Sequence, residues 1–233
     1  MSEYKRPRYY PLSPDEIFRI GKAAKDDRAR ALFFFCYMTG CRISEGARFM
    51  PTHLSSGNPE FYMVDLVVLK KRKMKGMRRS VPIPRGPLAR CHEEEMMGEV
   101  VQFLQTGKDG QPFGGADYPF WIWGRGGDYT CSKWRNHKVL HRKERPDLMD
   151  IYLRRQVRLK TEAQVREGEH WKRKAVEKPL HAHFLRHCRA SHLNEFYRFD
   201  AVQLQQFFTW SDTRTASVYT AFSTLTNYFR PRL

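Results

Sequence analysis

Four side chains in this sequence form a set able to open a phosphodiester without a metal. Arg42 lies in Thr39-Gly40-Cys41-Arg42-Ile43-Ser44-Glu45, and His183 and Arg186 lie in His183-Phe184-Leu185-Arg186-His187. Tyr219 follows in Thr215-Ala216-Ser217-Val218-Tyr219. A phosphodiester repels nucleophiles, and in its transition state charge spreads over the non-bridging oxygens. Guanidinium groups stabilise that charge, stay protonated and offer phosphate a planar fork. By analogy with oxyanion holes, losing one such donor costs about 10²–10³ in rate. His183 precedes Arg186 by three residues, so on a helix the two share a face. Its imidazole can hydrogen-bond the same phosphate or take a proton from Tyr219. A free phenol, with a pKa of about 10, attacks poorly without neighbouring positive charge and a proton acceptor. The product would be a phosphotyrosine ester that keeps the bond energy for rejoining. The leaving 5′-oxygen needs a proton, and Lys73 and Lys75 both lie where a basic hairpin tip could supply it.

Composition names the partner. The 233 residues carry 42 Lys plus Arg against 25 Asp plus Glu, a net charge of +17. Such a charge opposes compaction and is better read as a statement about polyanions, with nucleic acid first and an anionic membrane surface second. Hydrophobic residues at 41% and aromatics at 14% exclude a basic disordered tail. No apolar run is long enough to span a bilayer, and the N-terminus lacks the apolar region of a secretory signal. The five cysteines, Cys36, Cys41, Cys91, Cys131 and Cys188, are odd in number and show no Cys-x-x-Cys spacing. This fits a reducing intracellular compartment rather than a disulfide framework, and the charge adds the expectation of a DNA-associated protein. Cys131, His137 and His141 lack a fourth ligand at suitable spacing, so no metal site and no cofactor is expected.

The elements that must position these residues are mostly helices. Ser13-Pro14-Asp15-Glu16 is a helix start running to about Ala24. Arg28 to Tyr37 is a second helix ending near Gly40, and a short helix from Ser44 to Phe49 is stopped by Pro51. Phe61 to Leu69 and Ser80 to Pro84 read as strands. Between them, Lys70, Lys71, Arg72, Lys73, Lys75, Arg78 and Arg79 make a heavily basic hairpin tip turning at Gly76. Lys70, Lys71, Arg72, Lys75, Arg78 and Arg79 are expected to contact DNA phosphates, as is the basic stretch from Lys133 to Lys174. Pro87 to Gln105 reads as a helix and Thr106 to Pro119 as loop. Tyr129 to about Gly168 reads as largely helical, broken near Pro146. Leu180 to Tyr197, Asp200 to Phe208 and Thr213 to Tyr228 read as three further helices. The expected fold is mainly α with a small antiparallel β-sheet. His187 and the tryptophans Trp121 and Trp123 read as structural residues.

Four of these segments, in this order, resemble the tyrosine recombinase (phage-type integrase) family. Thr39 to Glu45 resembles its first arginine box, and Lys73 to Pro82 its lysine hairpin. His183 to His187 resembles its His-x-x-Arg box, and Thr215 to Thr220 the segment around its nucleophile. The resemblance implies a catalytic set of Arg42, Lys73, His183, Arg186, Trp210 and Tyr219. Trp210 falls at a fifth phosphate contact, and Lys73 is favoured over Lys75 when the strand is aligned backward from Val81-Pro82. It implies a site-specific DNA recombinase or integrase acting through a covalent 3′-phosphotyrosine, as found in viruses, plasmids and other mobile elements. Its partners would be double-stranded attachment sites bound by a homotetramer, with no membrane. The match spans about residues 10 to 230 as a single catalytic domain. An insertion is expected at about 125–179, and the family's N-terminal DNA-clamping domain is expected to be absent. Phe207-Phe208-Thr209 and Cys188 depart from the family pattern. Related chemistry (a type IB topoisomerase or telomere resolvase) and a catalytically silent DNA-binding relative are the alternative readings. An RNA-binding reading finds neither an RNP aromatic motif nor a Gly-x-x-Gly clamp.

Overall fold

An all-round apolar helix must be buried on every side, and the segment from Ala31 to Thr39 is such a helix. In the computed structural model, α2 (Asp27–Thr39) is the centre of the molecule. Every residue from Ala31 to Thr39 is buried. The structure describes residues 11–24, 27–69, 77–107, 110–115, 117–120 and 182–220, and the backbone of 158–167 and 170–179. Around α2 pack α1 (Pro14–Lys22), the short α3 (Ile43–Gly46), α4 (Glu93–Thr106), α5 (Ala182–Tyr197) and the strand Arg78–Pro84. The Phe35 ring meets Phe49 at 4.6 Å and Phe120 at 5.2 Å, while Phe18 stacks on Phe34 at 6.0 Å.

Helix starts follow local chemistry. Ser13 and Glu16 form a reciprocal capping box with Pro14 in the first turn, which satisfies orphan N–H groups. Asp200 and Gln203 do the same for α6 (Ala201–Phe208). A final described helix, α7, covers 213–220.

The sheet has strand order β1-β2-β3, antiparallel, from Leu54–Ser55, Phe61–Val67 and Arg78–Pro84. Its register sets Tyr62 opposite Ile83, Val64 opposite Val81 and Leu66 opposite Arg79. Side chains alternate with period two, so this one face carries Tyr62, Val64, Leu66, Arg79, Val81 and Ile83, all buried. Pro82 and Pro84 are tolerated because β3 is an edge strand. Val68 N–H donates to the Met77 carbonyl at 2.8 Å, so the basic loop leaves from the closed end of this hairpin. Lys70, Lys71, Arg72, Lys73 and Lys75 lie outside the described residues.

Two expectations are corrected. The stretch up to Gly168 was expected to be helical, yet residues 158–179 form an antiparallel ribbon. In it β4 (Arg158–Glu167) pairs with β5 (His170–Pro179), with Arg158 opposite Pro179 and Glu167 opposite His170. The Arg, Lys, Glu and Gln of β4 favour helix locally, but strand pairing overrides that weak preference. The rest of the expected insertion lies outside the described residues. The second correction is the start of α4. Gly86–Leu88 forms a single 3₁₀ turn, Ala89 is extended, and Cys91 takes φ +50° before the helix begins at Glu93.

That late start brings Glu93 against α5. Arg189, fully buried, donates to Glu93 through Nη1, and the Tyr197 hydroxyl donates to the same carboxylate. Burial alone would raise the Glu93 carboxyl. The Arg189 charge and the Tyr197 hydrogen bond outweigh it and hold the group below the usual carboxylate range. The Arg189 guanidinium also lies over the Tyr37 ring at 5.6 Å, and the Tyr37 hydroxyl pairs with His192 Nδ1 at 2.8 Å.

Burial first, and then the Arg189 charge, push the His192 imidazole down to about 4. The sign of its pH effect follows. Below about 6.5 the unfolded chain binds a proton that the folded chain refuses until about pH 4, so stability falls as pH falls through that window. At about 1.4 kcal/mol per pH unit the loss approaches about 3 kcal/mol. Denaturant unfolding between pH 7 and pH 4 should show this loss, and His192→Gln should flatten the slope. A slope unchanged by the substitution would place the proton uptake elsewhere.

Candidate active site

The site is built where two helices end. The last carbonyls of a helix lack intrahelical partners and carry the negative end of its dipole. At the end of α2 and the end of α6, two guanidinium groups meet these carbonyls. Arg186 Nη1 donates to the Gly40 carbonyl at 2.6 Å and Nη2 to the Phe208 carbonyl at 2.7 Å. Arg79 Nη1 donates to the Phe207 carbonyl, and Nη2 to the Thr39 carbonyl at 3.4 Å. The two arginines therefore staple α2 to α6, one from α5 and one from the hairpin.

Gly40 makes the staple possible. Its φ of +58° turns the chain out of α2, and a Cβ there would lie 2.2 Å from Phe208 Cε1. Gly40→Ala is expected to cost about 1–2 kcal/mol for the left-handed backbone and a further ~1–3 kcal/mol for displacing the Phe208 ring. Urea unfolding measures the sum. A loss under about 0.5 kcal/mol would mean that Phe208 does not seat there.

Immediately after the turn, Arg42 occupies the N-cap of α3 with its side chain a quarter exposed. Buried Glu45 holds it twice, accepting from Arg42 Nη1 and from the Arg42 backbone N–H, both at 3.0 Å. Glu45 was legible as part of the arginine box, but its role as the residue fixing Arg42 was not assigned from sequence. Arg186 is only 2% exposed. Burial first, then the like charges of Arg79 and Arg42, lower its pKa to about 9, which leaves it protonated at neutral pH. Three guanidinium charges thus converge within interaction range, partly offset by Glu45. Two of the five N–H donors of Arg186 serve carbonyls, leaving three directed elsewhere.

An aromatic ladder leads outward from this cluster. The Arg186 guanidinium lies over Phe208 at 4.7 Å and Trp210 at 5.7 Å. Trp210 stacks on Phe208 at 4.6 Å and 18°, and Tyr219 stacks on Trp210 at 5.4 Å and 10°. The half-buried Tyr219 hydroxyl is hydrogen-bonded to His187 Nδ1. His187 in turn meets His183 edge-on at 5.0 Å, and both histidines are exposed. Burial pushes the Tyr219 phenol up to about 12, with Arg186 pulling against it.

The structure therefore gathers Arg42, Arg186, Trp210, Tyr219 and the adjoining His183 into one region. Lys73 lies outside the described residues. Arg78 is exposed at the root of the hairpin. Arg79 differs from the expected surface phosphate contact: it is buried and engaged with helix-end carbonyls. The signal was present in the alternation of Ile83, Val81 and Arg79 on one strand face, hidden by the density of neighbouring charge. His187, read as structural, touches the phenol oxygen. No contiguous motif encodes that contact, since α5 and α7 meet only after folding. Among the described residues no cluster of three or more His, Cys, Asp or Glu could hold a metal, and no helix is long and apolar enough to cross a membrane.

No protein-family model and no curated protein matches the sequence. Solved structures do match the fold. XerA recombinase aligns over 100% of this chain and 68% of its own, with a TM-score of 0.54 and 18% identity. The Tn1549 transposon integrase in complex with circular intermediate DNA aligns over 98% of this chain and 67% of its own, with a TM-score of 0.54 and 15% identity. The same integrase in complex with transposon right end DNA gives a TM-score of 0.52 at 14% identity. The mainly helical fold with its three-stranded antiparallel sheet is the tyrosine recombinase catalytic-domain fold.

Proposed function

We propose that this chain is the catalytic domain of a site-specific DNA recombinase or integrase that cuts and rejoins duplex DNA through Tyr219. The observation that carries the reading is the placement of the Tyr219 phenol. It stacks on Trp210 beside the buried Arg186 charge, with its hydroxyl on an imidazole. Core Tyr37 also has an imidazole and a buried guanidinium beside it, but it is sealed from solvent. Half-exposed Tyr219 combines the positive charge and proton acceptor that a nucleophile needs with access for a phosphate.

In this mechanism Arg42, held by Glu45, and the remaining donors of Arg186 bind the non-bridging oxygens, with His183 and the Trp210 indole adding hydrogen bonds. Tyr219 attacks phosphorus and displaces the 5′-oxygen, leaving a 3′-phosphotyrosyl ester. Lys73 protonates the departing oxygen. It lies six residues before Arg79, within about 20 Å of chain reach, and Arg79 ties the hairpin root to the end of α6. Attack by the 5′-hydroxyl of a second strand then releases Tyr219. Four protomers on two duplexes would carry the exchange, and the net charge of +17 would draw DNA in from a distance.

The test uses a pool of nicked duplexes with a randomised core. A nick near the scissile phosphate lets the cleaved end diffuse away, so the ester accumulates. Denaturant-stable protein–DNA complexes are enriched from the pool, and the modified residue is mapped by mass spectrometry. Tyr219 is the expected site. Supercoil relaxation with no recombinant product would assign the same chemistry to a topoisomerase instead. Duplex binding with no adduct would leave a silent DNA-binding protein.

A further inference from the structure

We infer that His187 is the base that removes the Tyr219 proton as the phenol attacks, a role that rests on the reading of Tyr219 as nucleophile. His183 and His187 are four residues apart on α5 and so share a face. Arg186, between them, turns inward to the two helix ends, while His187 meets the nucleophile helix. Its Nδ1 lies within hydrogen-bond distance of the phenol oxygen, and its ring faces the phenol at 5.9 Å and 28°. The proposed role requires the neutral tautomer protonated at Nε2, which leaves Nδ1 free to accept from the phenol. Trp210, stacked on the same phenol, fixes the ring so that its oxygen lies on His187.

A base is needed here. With the phenol pushed up to about 12 by burial, only about one molecule in 10⁵ would be ionised at pH 7. Imidazole is the side chain whose ordinary pKa suits proton transfer near neutrality. His187 is exposed, so water can solvate the charge it gains. The step balances. The Tyr219 O–H bond breaks and its proton goes to Nδ1, while the new bond forms between the phenol oxygen and phosphorus. The bond from phosphorus to the 5′-oxygen breaks, and that oxygen takes a proton from Lys73. In rejoining, Lys73, left neutral by the first step, takes the proton of the attacking 5′-hydroxyl, and protonated His187 gives its proton to the departing Tyr219 oxygen. His183, edge-on to His187 at 5.0 Å, is left to the phosphate.

The experiment times adduct formation on the duplex recovered from the randomised pool. One version carries the natural 5′-oxygen at the scissile phosphate and one a bridging 5′-sulfur, whose departure needs no acid. His187→Gln keeps a hydrogen-bonding group but removes the base. It should slow the adduct about 10²–10⁴-fold with both substrates, while Lys73→Ala is restored by the sulfur. Replacing Tyr219 by 3,5-difluorotyrosine, a more acidic phenol, should restore most of the rate in the His187→Gln background. A merely structural role for His187 would show no such rescue. A His187→Gln rate within about threefold of wild type, a faster rate, or a loss that fluorination does not repair at unchanged DNA affinity would each overturn the assignment. An absence of adduct in the wild-type protein overturns the nucleophile reading, and this inference with it.

Discussion

Tyr219→Phe is expected to abolish the denaturant-stable protein–DNA complex while leaving non-covalent affinity within about twofold. Phenylalanine keeps the stack on Trp210 at 5.4 Å, so α7 stays seated and the surrounding charges do not move. Only the oxygen proposed to form the ester is lost. The Lys and Arg side chains, which would supply most of the affinity for a duplex, are untouched. Gel shift and denaturing electrophoresis on one nicked duplex separate the two quantities. An adduct that survives the substitution would name another nucleophile. Equal loss of adduct and of binding would mean that the hydroxyl holds the fold of the site rather than performing chemistry.

The second large effect concerns stability. Arg189→Met should destabilise the protein by about 3–5 kcal/mol, because it leaves the Glu93 carboxylate buried without its counter-charge. For a chain of this size that corresponds to a melting temperature lower by ~10 °C. Glu93→Gln should cost a similar amount, since the amide can still accept from Tyr197 but leaves the fully buried Arg189, which cannot shed its charge, without a counter-ion. The double substitution Arg189→Met with Glu93→Met should recover much of the loss. Arg189 Nε and Nη2 lack hydrogen-bond partners among the described residues, so the pair is incompletely satisfied. Replacing incompletely satisfied buried charges by apolar groups of similar size is often neutral or stabilising. A double variant as unstable as Arg189→Met would show that the network is cooperative beyond the ion pair.

These two sites also mark how far the sequence could be read. The pocket residues were legible because each sits in a short segment whose chemistry is local. Gly40 follows a helix and precedes Arg42, His183 and Arg186 share a face, and Tyr219 comes late in the chain. Helix starts at Ser13 and Asp200 were legible for the same reason, since a capping box spans four residues. The Glu93–Arg189 pair was not legible. It joins residues 96 apart, and its carboxylate is placed by a left-handed Cys91 that no residue type announces. The ribbon from Arg158 to Pro179 was missed because residues with helical preference were held in strands by pairing. Arg79 was misread because charge density outweighed an alternation visible over only three turns of the pleat. His187 needed the meeting of two helices before its second role could be seen.

The double staple at the helix ends also constrains motion. Arg79 and Arg186 fasten the carbonyls of Phe207 and Phe208 to the body of the domain, yet Tyr219 lies on the next helix. Any swing that carries the phenol out of its seat, whether to admit a duplex or to serve a neighbouring protomer, must pivot at Thr209 to Asp212, beginning at the left-handed Thr209 with φ +51°. The guanidinium cluster would keep its shape through such a swing, so under the proposed mechanism the phenol can come and go while the arginines wait assembled.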